Sequence, residues 1–591
     1  MLRRPRSGRL EARLPFPKAS AMYSASTALL EALTEAGVTH LFANFGSDHP
    51  ALVEAIAEAR ASGRTIPRIL TCPTEMVALS CAHGFAQVSG RAQAVVVHVD
   101  CGTQSLGGAV HNAAKGRIPV FIFAGLSPFT QEGELAGSRN EFIQWIQDVR
   151  DQRGIVRQYV KHDCELRTAA NVKQLVHRAL QIAHSDPPGP VYVVGAREVM
   201  EAGATPLAID PAEWSPVAPQ PLPEDGVATL AQALAAARRP LVVTSYLGRR
   251  PAAVDALARL CRRVGIGVLE SVPNYVNYPH DDPLYQGNHW NHPFQNRALA
   301  EADTILVIDS DVPWIPTVSR PNERAAIYHV DIDPLKEAMP LWYIRAKRSF
   351  RADAATALAQ LDRHLDGLSL DQAAVEERRR HYADAHGRRA AELRRQAAGS
   401  SDVITPEFLT AAVRRQIGED SLVLSEGITN YPTIADHLAR TRPGTLFTSG
   451  GGSLGWNGGA AIGAKLAAPE RTVVALTGDG SYLFSLPSTV HWMARRHGAP
   501  FLQVIYNNRG WKAPKFSALN VHPEGYASRA DDIDVSFDPA PDHAAIAAAA
   551  GGALALTLRR PDEVEAGIAA GLAAVREEKR AAVLDVWLPH L

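Results

Sequence analysis

Cysteine is scarce. The 591 residues hold five, at 72, 81, 101, 164 and 261, and no two lie at metal-ligand spacing. That scatter excludes a disulfide framework and a structural zinc site, and it fits a reducing compartment. Net charge is missing as well: 61 Lys and Arg against 62 Asp and Glu leave −1. Wholesale binding to nucleic acid or to an anionic membrane is therefore not expected. No run of about twenty apolar residues occurs, so a transmembrane helix is excluded, and no short repeat of solenoid type is visible. What is present is ordinary: 46% hydrophobic and 21% charged residues describe a globular chain. Its length exceeds what one core organises. The basic opening MLRRPRSGRLEARLPFPK lacks the apolar centre of a secretory signal. It reads as a flexible extension over 1–21, with a weak import segment as the other reading. A cytoplasmic, multidomain protein is the expectation.

Short β-branched runs alternate with Ala- and Leu-rich stretches in three blocks, the pattern of parallel α/β architecture. The first block carries THLFANFG (39–46), RILTCP (68–73), AVVVHV (94–99), VFIFAG (120–125) and VYVVG (191–195). A Pro-rich link over 203–224 breaks the periodicity. The second block carries LVVTSY (241–246), GIGVLES (265–271), TILVIDS (304–310) and AIYHVDID (326–333). A charged stretch at 376–396 reads as a solvated helix between blocks rather than a nucleic-acid face. The third block carries LVLSEG (422–427), TLFTSG (445–450), TVVALTGDG (472–480), FLQVIYNN (501–508) and AAVLDVWL (581–588). The expected architecture is three doubly wound parallel-sheet domains, over 22–202, 225–365 and 403–591, with linkers at 203–224 and 366–402.

Gly478-Asp479-Gly480 closes one apolar strand and opens a helical stretch, and Asn507-Asn508 closes the next strand. In a parallel βαβ unit both strands finish at the same sheet edge, where open α/β folds bind ligands. Asp479 and Asn508 offer hard oxygen ligands suited to Mg²⁺ or Ca²⁺ carrying phosphate oxygens. Gly478 and Gly480 permit close backbone approach, and a helix starting near Ser481 points its N-terminus at the phosphates.

This arrangement resembles the pyrophosphate domain of thiamine-diphosphate enzymes. The resemblance implies Mg²⁺ bound by Asp479, the Asn508 side chain and the Gly510 carbonyl, with Thr429 touching the diphosphate. TSGGGSLGWNGGAAIG (448–463) matches the loop that holds the pyrimidine ring. There the Gly452 carbonyl would accept from the cofactor's amino group, and Leu454 would bend the cofactor into a V. Glu75, just past strand 68–73 at the head of a helix, matches the glutamate that activates the ring. A first-turn glutamate alone would be a dipole partner. Because that glutamate serves a cofactor anchored on another subunit, the resemblance implies a homodimer or homotetramer with active sites between subunits. It covers nearly the whole chain and is strongest toward acetolactate synthases and benzoylformate decarboxylases.

Two stretches point at substrate chemistry. In NFGSDHP (44–50), Ser47, Asp48 and His49 are candidates for a substrate-facing loop. In VHVDCGTQSLGG (97–108), His98 falls on the active-site histidine of benzoylformate decarboxylases, with Gln104 as a polar neighbour. Such a histidine exchanges protons near pH 7, or it is a satisfied strand-end residue. Where those decarboxylases place a second histidine, this chain has Asp282, with His280 and His289 nearby. RGWKAPKF (509–516) is basic and aromatic; Arg509, Trp511, Lys512 and Lys515 either meet an acidic or phosphate-bearing substrate or form a solvated surface. The middle block resembles the domain that holds FAD in acetolactate synthases and an adenine nucleotide in relatives. Its first strand runs into SYLGRRPAA, not a GxGxxG fingerprint, which argues against FAD.

The expected activity is a Mg²⁺/thiamine-diphosphate enzyme that breaks or makes a C–C bond next to the carbonyl of a 2-oxo acid. The alternatives are a 2-hydroxyacyl-CoA or oxalyl-CoA lyase with the same cofactor, and a non-catalytic cofactor-binding subunit. The intact Glu75 counts against the last.

Overall fold

Among the described residues, 23–530 and 533–590 of a computed structural model, eighteen strands sort into three six-stranded sheets. The extension expected over 1–21 lies outside the described residues. The first sheet contains β1 (His40–Ala43), β2 (Arg68–Thr71), β3 (Ala94–Val97), β4 (Phe121–Leu126), β5 (His162–Leu166) and β6 (Val191–Ala196). The central sheet contains β7 (Pro240–Thr244), β8 (Gly267–Ser271), β9 (Tyr285–His289), β10 (Thr304–Ile308), β11 (Ala326–Asp331) and β12 (Arg348–Arg351). The third contains β13 (Leu422–Glu426), β14 (Leu446–Phe447), β15 (Val473–Gly478), β16 (Leu502–Asn507), β17 (Leu554–Leu558) and β18 (Ala582–Trp587). Every neighbouring pair is parallel. Central strands are sealed on both faces, as a parallel sheet under two helical layers requires: all four residues of β3 and all five of β7 and β10 are buried.

Strand order decides where each sheet opens a crevice. The first runs β2-β1-β3-β4-β6-β5, and the third repeats that pattern as β14-β13-β15-β16-β18-β17. The winding direction reverses between β1 and β3 and between β13 and β15, so a crevice opens beyond those carboxyl ends. The central sheet runs β12-β11-β10-β7-β8-β9 and reverses between β7 and β10.

The first and third domains share one hydrophobic core, in which Val77, Ala78 and Cys81 meet Trp456, Ala460 and Ala464. Helices Glu75–Ser89 and Asn457–Ala467 cross there with their backbones in close approach at glycines. A Cβ on Gly84 would stand 2.2 Å from the Ala460 carbonyl oxygen, and one on Gly463 only 1.9 Å from that of Cys81. This contact fixes Glu75 relative to the third domain. The charged stretch is a helix, Gln372–Ala397, anchored through buried Val375, Arg378 and Tyr382. No helix among the described residues is long and apolar enough to cross a membrane.

Candidate active site

At the third sheet's switch point, β15 and β16 pair with Gly478 opposite Tyr506, which brings Asp479 and Asn508 to one edge. The chain folds back at Arg509, whose φ is 60°, and Gly510 N–H then donates to Asp479 Oδ2 at 2.9 Å. Gly480 N–H donates to Asp479 Oδ1 at 2.9 Å, and Asn508 Nδ2 donates to the Gly510 carbonyl at 3.1 Å. All three expected metal ligands are thus in one cluster. Asp479 is 2% exposed, and no ion pair to it exists among the described residues. Burial outweighs its backbone hydrogen bonds and pushes its pKa up to about 6. The donor set, one carboxylate, one amide oxygen and one backbone carbonyl, is hard and oxygen-only, as Mg²⁺ requires. No cluster of three or more His, Cys, Asp and Glu side chains offers a competing site among the described residues.

The helix after the strand begins at Asp479, two residues before the expected Ser481. The two glycines differ in role. Around Gly478 there is open space, whereas a Cβ on Gly480 would stand 2.3 Å from the Trp511 ring. Thr429 lies in a single 3-10 turn, Ile428–Asn430, beyond β13 at the same edge. Gly452 is exposed and Leu454 half-buried on the loop before helix Asn457–Ala467. What shapes that loop is a residue the sequence did not single out. Glu426, fully buried at the end of β13, accepts from Gly455 N–H at 2.6 Å and Asn457 N–H at 2.7 Å. Burial pushes its carboxyl up to about 8 against those hydrogen bonds. Asn112 supports the same loop from the first domain, donating to the Ser453 carbonyl at 2.8 Å.

At the first sheet's switch point stands the second cluster. Glu75 is the first residue of its helix and 6% exposed, and its Oε1 accepts from Asn44 Nδ2 at 2.9 Å. His98 follows β3; its Nδ1 lies 2.5 Å from Asp48 Oδ1 and its Nε2 2.8 Å from Gln147 Oε1. Asp48 and His49 are buried in the turn after β1, while Ser47 is half-buried beside them. Gln104 is exposed, and its Nε2 donates to Asp100 on its own helix at 3.3 Å. Gln147 and Asn44 escaped the sequence reading. Gln147 reaches His98 only through the fold of the 127–150 segment, which has no periodic pattern.

The other candidates have the following partners. Trp511 packs against Gly480 and edge-on to Phe537, and Lys512 Nζ sits 5.3 Å from the centre of the Phe516 ring. The Arg509 guanidinium lies over Trp587. His280 is buried in the central domain, bound to Glu270 at 3.0 Å and stacked on Tyr285. Asp282 pairs with Arg262 at 2.7 Å. His289 is buried at the end of β9, with its Nε2 unpaired.

The chain matches three family descriptions: "Thiamine pyrophosphate enzyme, N-terminal TPP binding domain" over 23–155, the central domain over 227–361, and the C-terminal TPP binding domain over 427–586. It is 26% identical over 465 residues to a protein of Pseudomonas aeruginosa described as a probable 2-ketoarginine decarboxylase, covering 76% of this chain and 78% of that one. An acetolactate synthase large subunit of Parasynechococcus marenigrum is 25% identical over 502 residues, covering 82% and 76%. The thiamine diphosphate-dependent 4-hydroxybenzoylformate decarboxylase of Rhodococcus jostii RHA1 superposes with a TM-score of 0.76 at 20% identity, covering 96% of this chain and 99% of that one, a likeness of fold.

Proposed function

The chain belongs to the thiamine pyrophosphate enzymes, and from that premise we propose a Mg²⁺-dependent decarboxylase or carboligase of acetolactate synthase-like kind, acting on a 2-oxo acid. The division into domains 22–202, 225–365 and 403–591 is part of this reading. Thiamine diphosphate supplies the electron sink that lets a bond beside a carbonyl break. The protein's share is grip, orientation and proton placement. Asp479, Asn508 and the Gly510 carbonyl would hold the cation that carries the diphosphate, with Thr429 beside it. The Gly452 carbonyl and Leu454 would receive the pyrimidine, and the Glu75 carboxyl would meet its ring nitrogen from a second copy of the chain. An oligomer also fits the apolar side chains left in the open near His98: Phe142 is 79% and Ile146 75% exposed. Five unpaired thiols suit a cytoplasmic setting.

The observation that carries this reading is the Asp479 carboxylate, buried at a switch-point edge among oxygen donors and without a basic partner among the described residues. A divalent cation is what such a carboxylate fits. Calorimetric titration with thiamine diphosphate tests it, with Mg²⁺ and then with chelator, alongside CO₂ release from pyruvate, benzoylformate and basic 2-oxo acids. Binding that needs the cation, is lost in Asp479→Ala, and accompanies turnover of at least one acid is the expected result. Failure to bind the cofactor, or turnover of none of the acids, overturns it. For the CoA-lyase reading, Arg509 lies over Trp587 and Lys512 over Phe516, and turnover of a CoA thioester would favour it.

FAD does not fit the central domain. After β7 the chain makes one 3-10 turn, Leu247–Arg249, and a Cβ on Gly248 would stand 2.2 Å from the Val276 carbonyl oxygen. The segment at 276 therefore packs against this turn, just ahead of helix Pro251–Val264, and crowds the approach a pyrophosphate would use. Beside it the crevice is filled by the chain itself. Tyr246 donates to Asp331 at 2.6 Å, Lys336 Nζ lies 2.8 Å from both Asp311 and Asp331, and Arg117 of the first domain grips Asp311 at 2.6 and 2.9 Å. Purified protein without flavin absorbance, unaffected by added FAD, is the expected outcome.

A further inference from the structure

The turn after β1 and the end of β3 build a charge arrangement beside Glu75. Asp48 is 4% exposed, and its Oδ2 accepts the Val99 N–H at 3.0 Å, which prevents the carboxylate from swinging. Its Oδ1 faces two imidazoles, His98 Nδ1 at 2.5 Å and His49 Nδ1 at 3.0 Å. These are not equivalent. His49 Nδ1 accepts the Gly46 N–H at 3.1 Å, so the ring proton of His49 sits on Nε2, which is buried without a partner. His98 is left as the proton donor to Asp48. Its other nitrogen faces Gln147 Oε1 at 2.8 Å, again an acceptor. A ring with acceptors at both nitrogens is an imidazolium.

We propose that Asp48 is a positioning residue that holds His98 as an imidazolium. The Nε2–H, capped by Gln147 in this structure, is then the proton that a substrate oxygen of the 2-oxo acid takes in Gln147's place. The inference rests on the proposed function for its substrate. Other groups around the ring support the charge state. Glu75, at the head of its helix, adds a carboxylate, and Gln147 brings no charge from its segment; on the next helix Asp100 acts on Cys101. The hydrogen bond to Asp48 raises the His98 pKa against burial, which lowers it. The sign follows: His98 stays charged to higher pH than a free histidine, and a step that needs its proton fails as pH rises through that raised value. Gln147 directly follows helix Ile143–Ile146 of the open apolar segment.

Two readouts on the full-length protein test this. Diethyl pyrocarbonate modifies neutral imidazole, so mass spectrometry of the tryptic peptide after Arg91 reports the charge of His98 without any turnover. At neutral pH, Asp48→Asn should be modified at His98 about tenfold faster than wild type, and Asp48→Glu should return toward wild type. In assays with thiamine diphosphate, Mg²⁺ and the best 2-oxo acid, the alkaline limb of kcat/KM should move to lower pH in Asp48→Asn and recover in Asp48→Glu. A purely structural role for Asp48 predicts a uniform loss at all pH. Equal modification rates, or a pH-independent loss, overturn the inference while cofactor binding and wild-type turnover leave the proposed function standing. Absence of any wild-type turnover overturns the proton-donor half along with that function, and the modification contrast still decides the charge state.

Discussion

Glu426 shows how one side chain can set both the shape and the pH response of this site. It is buried at a strand end and bonded to two backbone N–H groups of the loop that presents Gly452 and Leu454. Its carboxyl is pushed up to about 8 in the folded state, above its unfolded value. Its contribution to stability is therefore present in full below the unfolded pKa and is lost as pH rises through about 8. Thermal unfolding followed from pH 6 to pH 9 should show wild-type stability falling toward the alkaline end. In Glu426→Gln, which does not ionise, that slope should flatten. At this scale the sequence was informative where chemistry is tied to a strand end. Asp479, Asn508 and Glu75 each sit one or a few residues past an apolar run, so topology alone assigns their edge. Glu426 was hidden because it closes such a run and looks like its last residue. Asn44, Asn112 and Gln147 were hidden because their partners are distant in sequence.

Helix Glu75–Ser89 and helix Asn457–Ala467 act as one unit, and their glycines are the reason. Gly463→Ala places a methyl where the Cys81 carbonyl stands, so the helices must part or tilt. A loss of about 1–3 kcal/mol is expected, read by urea unfolding, together with weaker cofactor binding because the Glu75 end moves. An alanine at Gly387, on the linker helix with open space around it, should do neither. Strand legibility follows the same physics. The strands absent from the sequence reading are β5, β9, β12 and β17, and all four lie at sheet edges. An edge strand is covered on fewer sides, so it has less need of an apolar run: HDCEL, RSFR and LALTL have one buried residue each. β9 is buried yet polar, because Tyr285 and its neighbours meet the linker helix rather than an aliphatic layer. Interior strands, sealed on both faces, were all visible as β-branched runs.

In the whole molecule, three sheets of related topology carry different duties. The outer two gather the candidate site residues at their switch points, while the central one fills its own crevice with ion pairs and hydrogen bonds. Arg117 carries that network across the domain boundary, its guanidinium over the Tyr246 ring and bidentate to Asp311. Arg117→Ala removes two charge-assisted hydrogen bonds from the half-buried Asp311, which keeps Lys336, and should cost about 1.5–3 kcal/mol. Scanning calorimetry should show the central domain melting ahead of the rest, where the wild type gives a more cooperative transition.

In the proposed function, the cation at the third sheet's edge is what holds the coenzyme in this site. The direct measurement is a crystal structure of the protein grown with thiamine diphosphate and Mg²⁺. An octahedral ion on Asp479, Asn508 and the Gly510 carbonyl, at about 2.0–2.1 Å, with Glu75 of a second copy against the pyrimidine ring, is the predicted result. A coenzyme seated away from Asp479, or a Glu75 that meets only side chains of its own domain, would contradict it.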